Sequence, residues 1–253
     1  PWHCRTIGTM AAAVLEEGIA ELTRITYSVA DGDWAPTPHG AFLARTLALQ
    51  AHLVEGKDVL ELGAGVGNHT VVMLRQGANS VTATELESSR IDTTITALKA
   101  SISEELFHKV NFLVADWLSV PGTFDVVVSN PPFARSGKRN RRYFIDSLIL
   151  DGHKCLRSSG HLVFVQSGME DVPKTLKRLA ENGFSAKVIA TSEPGAFREY
   201  YLQDKTFMAE IQEVEGGFEK VEDTYFERLY VIDAELLPYA PPPGAHVPTS
   251  DEG

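Results

Sequence analysis

Apolar positions along residues 57–192 come in short runs separated by stretches of helical spacing. The runs are Asp58–Leu62, Ser80–Glu85, Val110–Val114, Phe124–Ser129, His161–Gln166 and Ala186–Ala190. Alternation of this kind predicts βαβ units and a parallel sheet. The run Asp125–Val128 is β-branched almost throughout, as suits a strand covered on both faces. Upstream, Ala11–Ile25 and Ala41–Val54 carry apolar residues at helical spacing and predict two amphipathic helices. The Pro- and Gly-punctuated segment 31–40 predicts a loop between them. Downstream, residues 193–224 are polar and break the alternation before a further strand at Arg228–Ile232. A final antiparallel pair of strands with an insertion between them accounts for this pattern. The expected fold is therefore α/β and Rossmann-like: a seven-stranded, mostly parallel sheet with helices on both faces and one antiparallel strand near the end.

The expected organisation is a helical N-terminal cap at 10–56, a main domain at 57–237 carrying the 193–224 insertion, and a disordered tail at 238–253, which is rich in proline. Residues 1–9 precede Met10 and are read as an expression remnant or upstream extension without fold meaning.

Composition narrows the function. The 253 residues are 43% hydrophobic and 23% charged, with no apolar run near the ~20 residues of a membrane helix and no signal-peptide pattern. A net charge of −11 argues against a generic nucleic-acid coat. Cys4 and Cys155 fit no metal-ligand or disulfide spacing, so a reduced, cytoplasmic setting is expected. His39, His69 and His153 are isolated, and no metal is expected.

The chemistry-bearing residues lie at the carboxyl ends of successive predicted strands, where open α/β sheets bind ligands. The first strand runs into Gly63-Ala64-Gly65-Val66-Gly67, a turn that lets backbone approach a ligand closely. Such a turn also serves dinucleotides, but Glu61 just before it suits an ammonium group better than a pyrophosphate. Glu85 ends the second strand and can accept from ribose hydroxyls. Asp116, after the third, can accept from an adenine amino group, with Trp117 beside it to cover the ring. The fourth strand ends in Ser129-Asn130-Pro131-Pro132-Phe133. Two prolines stop the strand and leave a stiff loop that offers carbonyl oxygens and few donors. Asn130 adds a side-chain acceptor and Phe133 a stacking face. Convergent acceptors of this kind suit an –NH₂ group on a planar centre.

Residues 59–67 resemble the first motif of class I methyltransferases, over a likeness that spans roughly residues 30–192. The Asn-Pro-Pro-Phe segment resembles the (N/D)PP(Y/F) signature of amino-methylating enzymes: HemK-like glutamine methyltransferases, adenine-N6 methyltransferases and guanine-N2 rRNA enzymes. The resemblance implies S-adenosylmethionine as cofactor, held by Glu61, Gly63, Ala64, Gly65, Gly67, Asn68, Glu85, Leu86, Asp116, Trp117 and Asn130. It also implies a catalytic loop of Asn130, Pro131, Pro132 and Phe133. Phe133 stands where tyrosine is commoner, and the subfamily stays open. Residues 160–167 and 226–232 are similar to the fifth and last strands of the HemK-like branch. Residues 34–43 sit where that branch closes a loop over the cofactor, without its acidic residue.

Acceptor contacts are expected from Trp34, Phe133, Arg135, Arg139 and Arg141, the arginines belonging to a basic stretch at 134–142. Glu199, Tyr200 and Tyr201 are further candidates for the pocket wall. The expected reaction is methyl transfer to an amide, guanidino or amino nitrogen, in protein glutamine or in a small amine or guanidine metabolite. RNA or DNA amino groups form an alternative. A nicotinamide-dependent oxidoreductase and a binding protein without catalysis are readings from other classes.

Overall fold

The computed structural model describes residues 2–25, 37–133 and 141–238. The chain opens with α1 (Trp2–Thr23) and α2 (Pro38–Leu49). α1 thus begins well upstream of the periodic stretch at Ala11, and residues 2–9 are helical. Then follow β1 (Asp58–Leu62), α3 (Asn68–Arg75), β2 (Ser80–Glu85), α4 (Ser88–Ser101), α5 (Glu104–Phe107), β3 (Val110–Val114), β4 (Phe124–Ser129) and α6 (Tyr143–Asp151). After these come β5 (Leu156–Ser167), α7 (Val172–Glu181), β6 (Phe184–Thr191), β7 (Gly195–Ala196), α8 (Glu199–Gln203), α9 (Lys205–Ile211), β8 (Glu219–Val221), β9 (Thr224–Glu227) and β10 (Leu229–Leu236). No helix among the described residues is long and apolar enough to cross a membrane.

The main sheet has seven strands in the order β3-β2-β1-β4-β5-β10-β6. Only β10 runs antiparallel to its neighbours, β5 and β6. This is the Rossmann-like, mostly parallel sheet expected from the alternation. Three expected strands were too short, β6 by running from Phe184 to Thr191 rather than from Ala186 to Ala190. β5 starts at Leu156 rather than His161, because its pairing with β4 continues through a register shift, near which Ser159 takes φ 58°. β10 continues to Leu236 beyond the expected Ile232. Its polar Asp233 hid the pattern, but that carboxylate is 2.7 Å from His161 Nδ1 on β5 and is only 5% exposed.

Both faces of the sheet are covered, which is why its strands are apolar throughout. Val59, Val81, Val126, Val128 and Val163 face one core with Leu43 and Leu47 of α2, Val71 of α3 and Leu98 of α4. Leu60, Leu62, Val127, Leu162 and Phe164 face a second core with Ile145 and Leu148 of α6 and Leu179 of α7. The turn before α3 lies so close to Leu98 of α4 that a Cβ on Gly67, at φ +81°, would sit 2.6 Å from Leu98 Cδ2.

The segment between β6 and β10 folds over the sheet's carboxyl edge as α8, α9 and a three-stranded sheet of order β7-β9-β8. It has a third, aromatic core of Phe197, Tyr201, Phe207 and Ile211 with Met169. A buried polar seam lies beneath it. Ser167 Oγ donates to Glu227 at 2.6 Å, and Ser167 N donates to Glu170 Oε2 at 3.0 Å. Complete burial pushes the Glu170 carboxyl up to about 8.

Two outcomes follow. Gly67→Ala combines a left-handed backbone with a steric overlap, so urea unfolding should show a loss of about 1–3 kcal/mol. Glu170 ionises near the ordinary carboxylate value when unfolded but only near 8 when folded. The folded state therefore binds the extra proton between those values, and stability falls as pH rises through that window. Unfolding midpoints measured from pH 5 to 8 should decline less in Glu170→Gln, which keeps the acceptor for Ser167.

Candidate active site: two cavities that meet at Asn130

The parallel pairing of β1 with β4 sets Leu62 opposite Ser129. Chain direction across the sheet reverses between these strands, the topological switch point where doubly wound sheets open a crevice. The glycine turn after β1 and the Asn-Pro-Pro-Phe loop after β4 therefore emerge side by side.

Gly63 and Gly65 take φ of +74° and +58° and wall a cavity of about 610 Å³ together with Leu62, Thr84, Glu85, Leu86, Ala115, Asp116 and Trp117. That volume is within the range of small-molecule sites. Glu85 Oε1 accepts from Gly65 N at 2.6 Å, so the acid at the tip of β2 also fixes the glycine turn. Asp116 is exposed at the rim. Trp117 takes φ 49°, an uncommon conformation for a large residue. Its indole Nε1 donates to Ser147 Oγ at 2.7 Å, and its ring meets Phe144 edge-on at 4.9 Å. One wall is thus acidic and the other aromatic, an arrangement that can hold a sugar and a planar base.

Four of the expected cofactor contacts lie outside that wall. Glu61 is 1% exposed, and both its oxygens are engaged: Oε1 is 3.0 Å from His69 Nδ1, and Oε2 accepts from Thr70 Oγ1. His69 Nε2 in turn lies 3.1 Å from the Gly40 carbonyl. Glu61 therefore ties β1, α3 and α2 together behind the turn. Ala64 is buried in the first core, Gly67 packs on Leu98, and Asn68 faces a groove lined by α1 and α2 residues.

On the other side of the loop, a cavity of about 240 Å³ is walled by Thr37, His39, Asn130, Pro131, Pro132, Phe133, Arg198, Tyr200 and Tyr201. Thr37, Asn130 and Pro132 wall both cavities. Thr37 caps α2 by accepting from Gly40 N at 3.1 Å, and Asn130 Nδ2 points at the same oxygen at 3.5 Å. This turns the Asn130 amide so that its carbonyl oxygen is left for a ligand. Phe133 is anchored in the aromatic core, with ring centroids 5.6 Å from Tyr201 and 5.9 Å from Phe207.

Tyr200 and Tyr201 wall this second cavity, while Glu199 does not appear in its lining. Arg141 lines neither cavity. Its guanidinium lies 5.8 Å from the Phe207 ring centroid, and Nη2 donates to the Glu210 carbonyl at 3.3 Å. Trp34, Arg135 and Arg139 fall outside the described residues. Sequence reasoning missed Leu62, Thr84, Arg90, Ala115, Tyr143, Phe144 and Arg198 as wall residues, and placed Thr37 and His39 only within the segment 34–43. Only Thr37 carried a usable signal, since a threonine before Pro38 marks a helix start.

With this geometry in view, the chain belongs to the methyltransferase small domain family, whose model matches residues 39–191. It is a class I S-adenosylmethionine-dependent methyltransferase, and the nicotinamide alternative is set aside. A Methanocaldococcus jannaschii protein assigned provisionally as a protein N5-glutamine methyltransferase is 26% identical over 155 residues, 54% of this chain and 75% of that protein. The ribosomal protein L11 methyltransferase of Lactobacillus gasseri is 28% identical over 148 residues, 56% of this chain, which spans only 41% of that enzyme. Among solved structures, a provisionally assigned RNA methyltransferase of Pyrococcus horikoshii superposes with a TM-score of 0.57 at 19% identity, covering 88% of this chain and 98% of that one.

The Thr37 oxygen serves two donors, and its loss should be felt twice. Thr37→Val should cost about 1 kcal/mol of stability as a lost cap and lower methyl-transfer turnover about tenfold through a misaligned Asn130. Thr37→Ser, which keeps the oxygen, should remain near wild type in both a thermal melt and a rate assay.

Proposed function

We propose that this enzyme methylates an amide, guanidino or amino nitrogen, with the side-chain amide of glutamine in a protein as first acceptor and a small amine or guanidine metabolite as second. The observation that carries this reading is that Asn130 and Pro132 wall both cavities. The two cavities thus meet at the Asn-Pro-Pro-Phe loop and Thr37. The glutamine methyltransferase assignment of the relative from Methanocaldococcus jannaschii supports the same acceptor.

The larger cavity fits S-adenosylmethionine by the chemistry of its donor set. Gly63 and Gly65 let backbone approach the methionine part, Glu85 accepts from ribose hydroxyls, and Asp116 accepts from the adenine amino group beside Trp117 and Leu86. Glu61, Ala64, Gly67 and Asn68 shape this turn from behind. S-adenosylmethionine supplies an electrophilic methyl group bound to a sulfonium.

The chain's own residues deal with the acceptor. An amide nitrogen is a weak nucleophile because its lone pair is delocalised. The Asn130 side-chain oxygen and the Pro131 carbonyl accept its two N–H bonds, hold it in line, and stabilise the positive charge that develops on it. Phe133 supports the planar group from one side. No strong base is needed before transfer, because the proton becomes acidic once the nitrogen carries the methyl.

Asn130→Ala should reduce incorporation of labelled methyl into a glutamine-containing peptide by about 100-fold or more, while calorimetry shows the affinity for S-adenosylhomocysteine largely unchanged. Turnover equal to wild type would refute the role given to Asn130.

A further inference from the structure

The smaller cavity contains two polar groups that nitrogen capture alone does not use. His39 is 8% exposed, and its Nε2 is buried with no hydrogen-bond partner among the described residues. A buried polar atom left alone is costly and calls for a ligand or water. Burial, aided by the nearby Arg198 charge, holds the His39 imidazole down to about 4. It therefore faces the cavity uncharged at neutral pH. Opposite in character stands Arg198. It donates to the Tyr200 hydroxyl at 3.1 Å, with its guanidinium 5.8 Å from that ring's centroid. It forms no ion pair among the described residues. The buried acid whose field it feels, Glu227, gives one oxygen to Ser167, and burial raises its carboxyl above the usual range. One cation thus stands in the cavity wall beside Tyr200 and Tyr201 with no ion-pair partner among the described residues.

We propose that this pocket selects acceptors that carry a carboxylate close to the methylated nitrogen, with Arg198 pairing to the carboxylate and His39 Nε2 completing a hydrogen bond to the same ligand. This rests on the reading that Asn130 grips the acceptor nitrogen. Arginine presents a planar fork of donors that matches a carboxylate. At about 240 Å³ the cavity is smaller than sites for drug-sized ligands, ~300–1,000 Å³, which favours an amino-acid-sized group over a nucleotide. Free glutamine and a C-terminal glutamine of a polypeptide share this chemistry.

The test is calorimetry on the full chain saturated with S-adenosylhomocysteine, using N-acetyl-L-glutamine, N-acetyl-L-glutaminamide, L-glutamine and adenosine monophosphate as probes. N-acetyl-L-glutamine should bind about tenfold or more tightly than its carboxamide counterpart. Arg198→Gln should abolish that preference, and Arg198→Lys should keep part of it. Tighter binding of L-glutamine than of the acetylated probe identifies the free amino acid as the source, and the reverse order identifies a chain terminus. Equal affinity for the acid and its amide, no binding of either, a preference that survives Arg198→Gln, or tighter binding of adenosine monophosphate would each overturn the proposal. Failure of the wider reading looks different: S-adenosylhomocysteine would not bind, or Asn130→Ala would leave peptide methylation intact. The S-adenosylhomocysteine affinity of each Arg198 variant also reports whether it is folded.

Discussion

The parallel ladder between β1 and β4 is the constraint on which this site depends. It places Leu62 beside Ser129, so the two loops that follow must leave the sheet together at the one point where its winding reverses. A glycine turn and a doubly prolyl loop emerging there have complementary properties. The first is rich in backbone donors and pliable in φ, while the second is poor in donors and stiff. The donor-rich loop faces the larger cavity. The loop poor in donors stands between the two cavities.

A second linkage joins this centre to its covers. Phe133 carries the Asn-Pro-Pro-Phe loop into the aromatic core of the segment between β6 and β10. Thr37, at the start of α2, meets Asn130 from the opposite side. Glu61, His69 and the Gly40 carbonyl form a buried chain beneath the glycine turn and reach the same helix. The position of Asn130 is therefore set by three elements rather than by its own loop. Rigid support of this kind is what alignment of a weak nucleophile requires.

Electrostatics divide the two cavities. The larger one has the buried carboxylate of Glu85 and the exposed one of Asp116, suited to hydroxyl and amino donors, with Arg90 also in its wall. The smaller one has a guanidinium and an uncharged imidazole among aromatic rings. The overall charge of −11 gave no hint of this, because the sign of a site is set by which few side chains converge on it.

Much of the molecule was legible from the chain alone. Apolar runs β-branched on both faces and spaced by helical patterns specify a covered parallel sheet, and prolines after Ser129 specify where a central strand must stop. These are short-range properties, set by backbone sterics and by burial of every strand face. What the sequence left undecided was which distant side chains become neighbours. Asn130 meets Thr37 across 93 residues of chain, and Arg198 reaches the same pocket from the other end of the main domain. Glu61 read as a ligand acceptor, yet the first turn of α3 brings His69 and Thr70 back to occupy its oxygens. Local pattern did not single out Tyr143 and Phe144, yet the fold sets them on the wall of the larger cavity. Strand order and the docking of covering segments decide such meetings, and neither leaves a trace in local periodicity. The sequence by itself determined the sheet, its loops and the kind of chemistry at their tips; only tertiary packing decided which atoms of those residues remained free for a ligand.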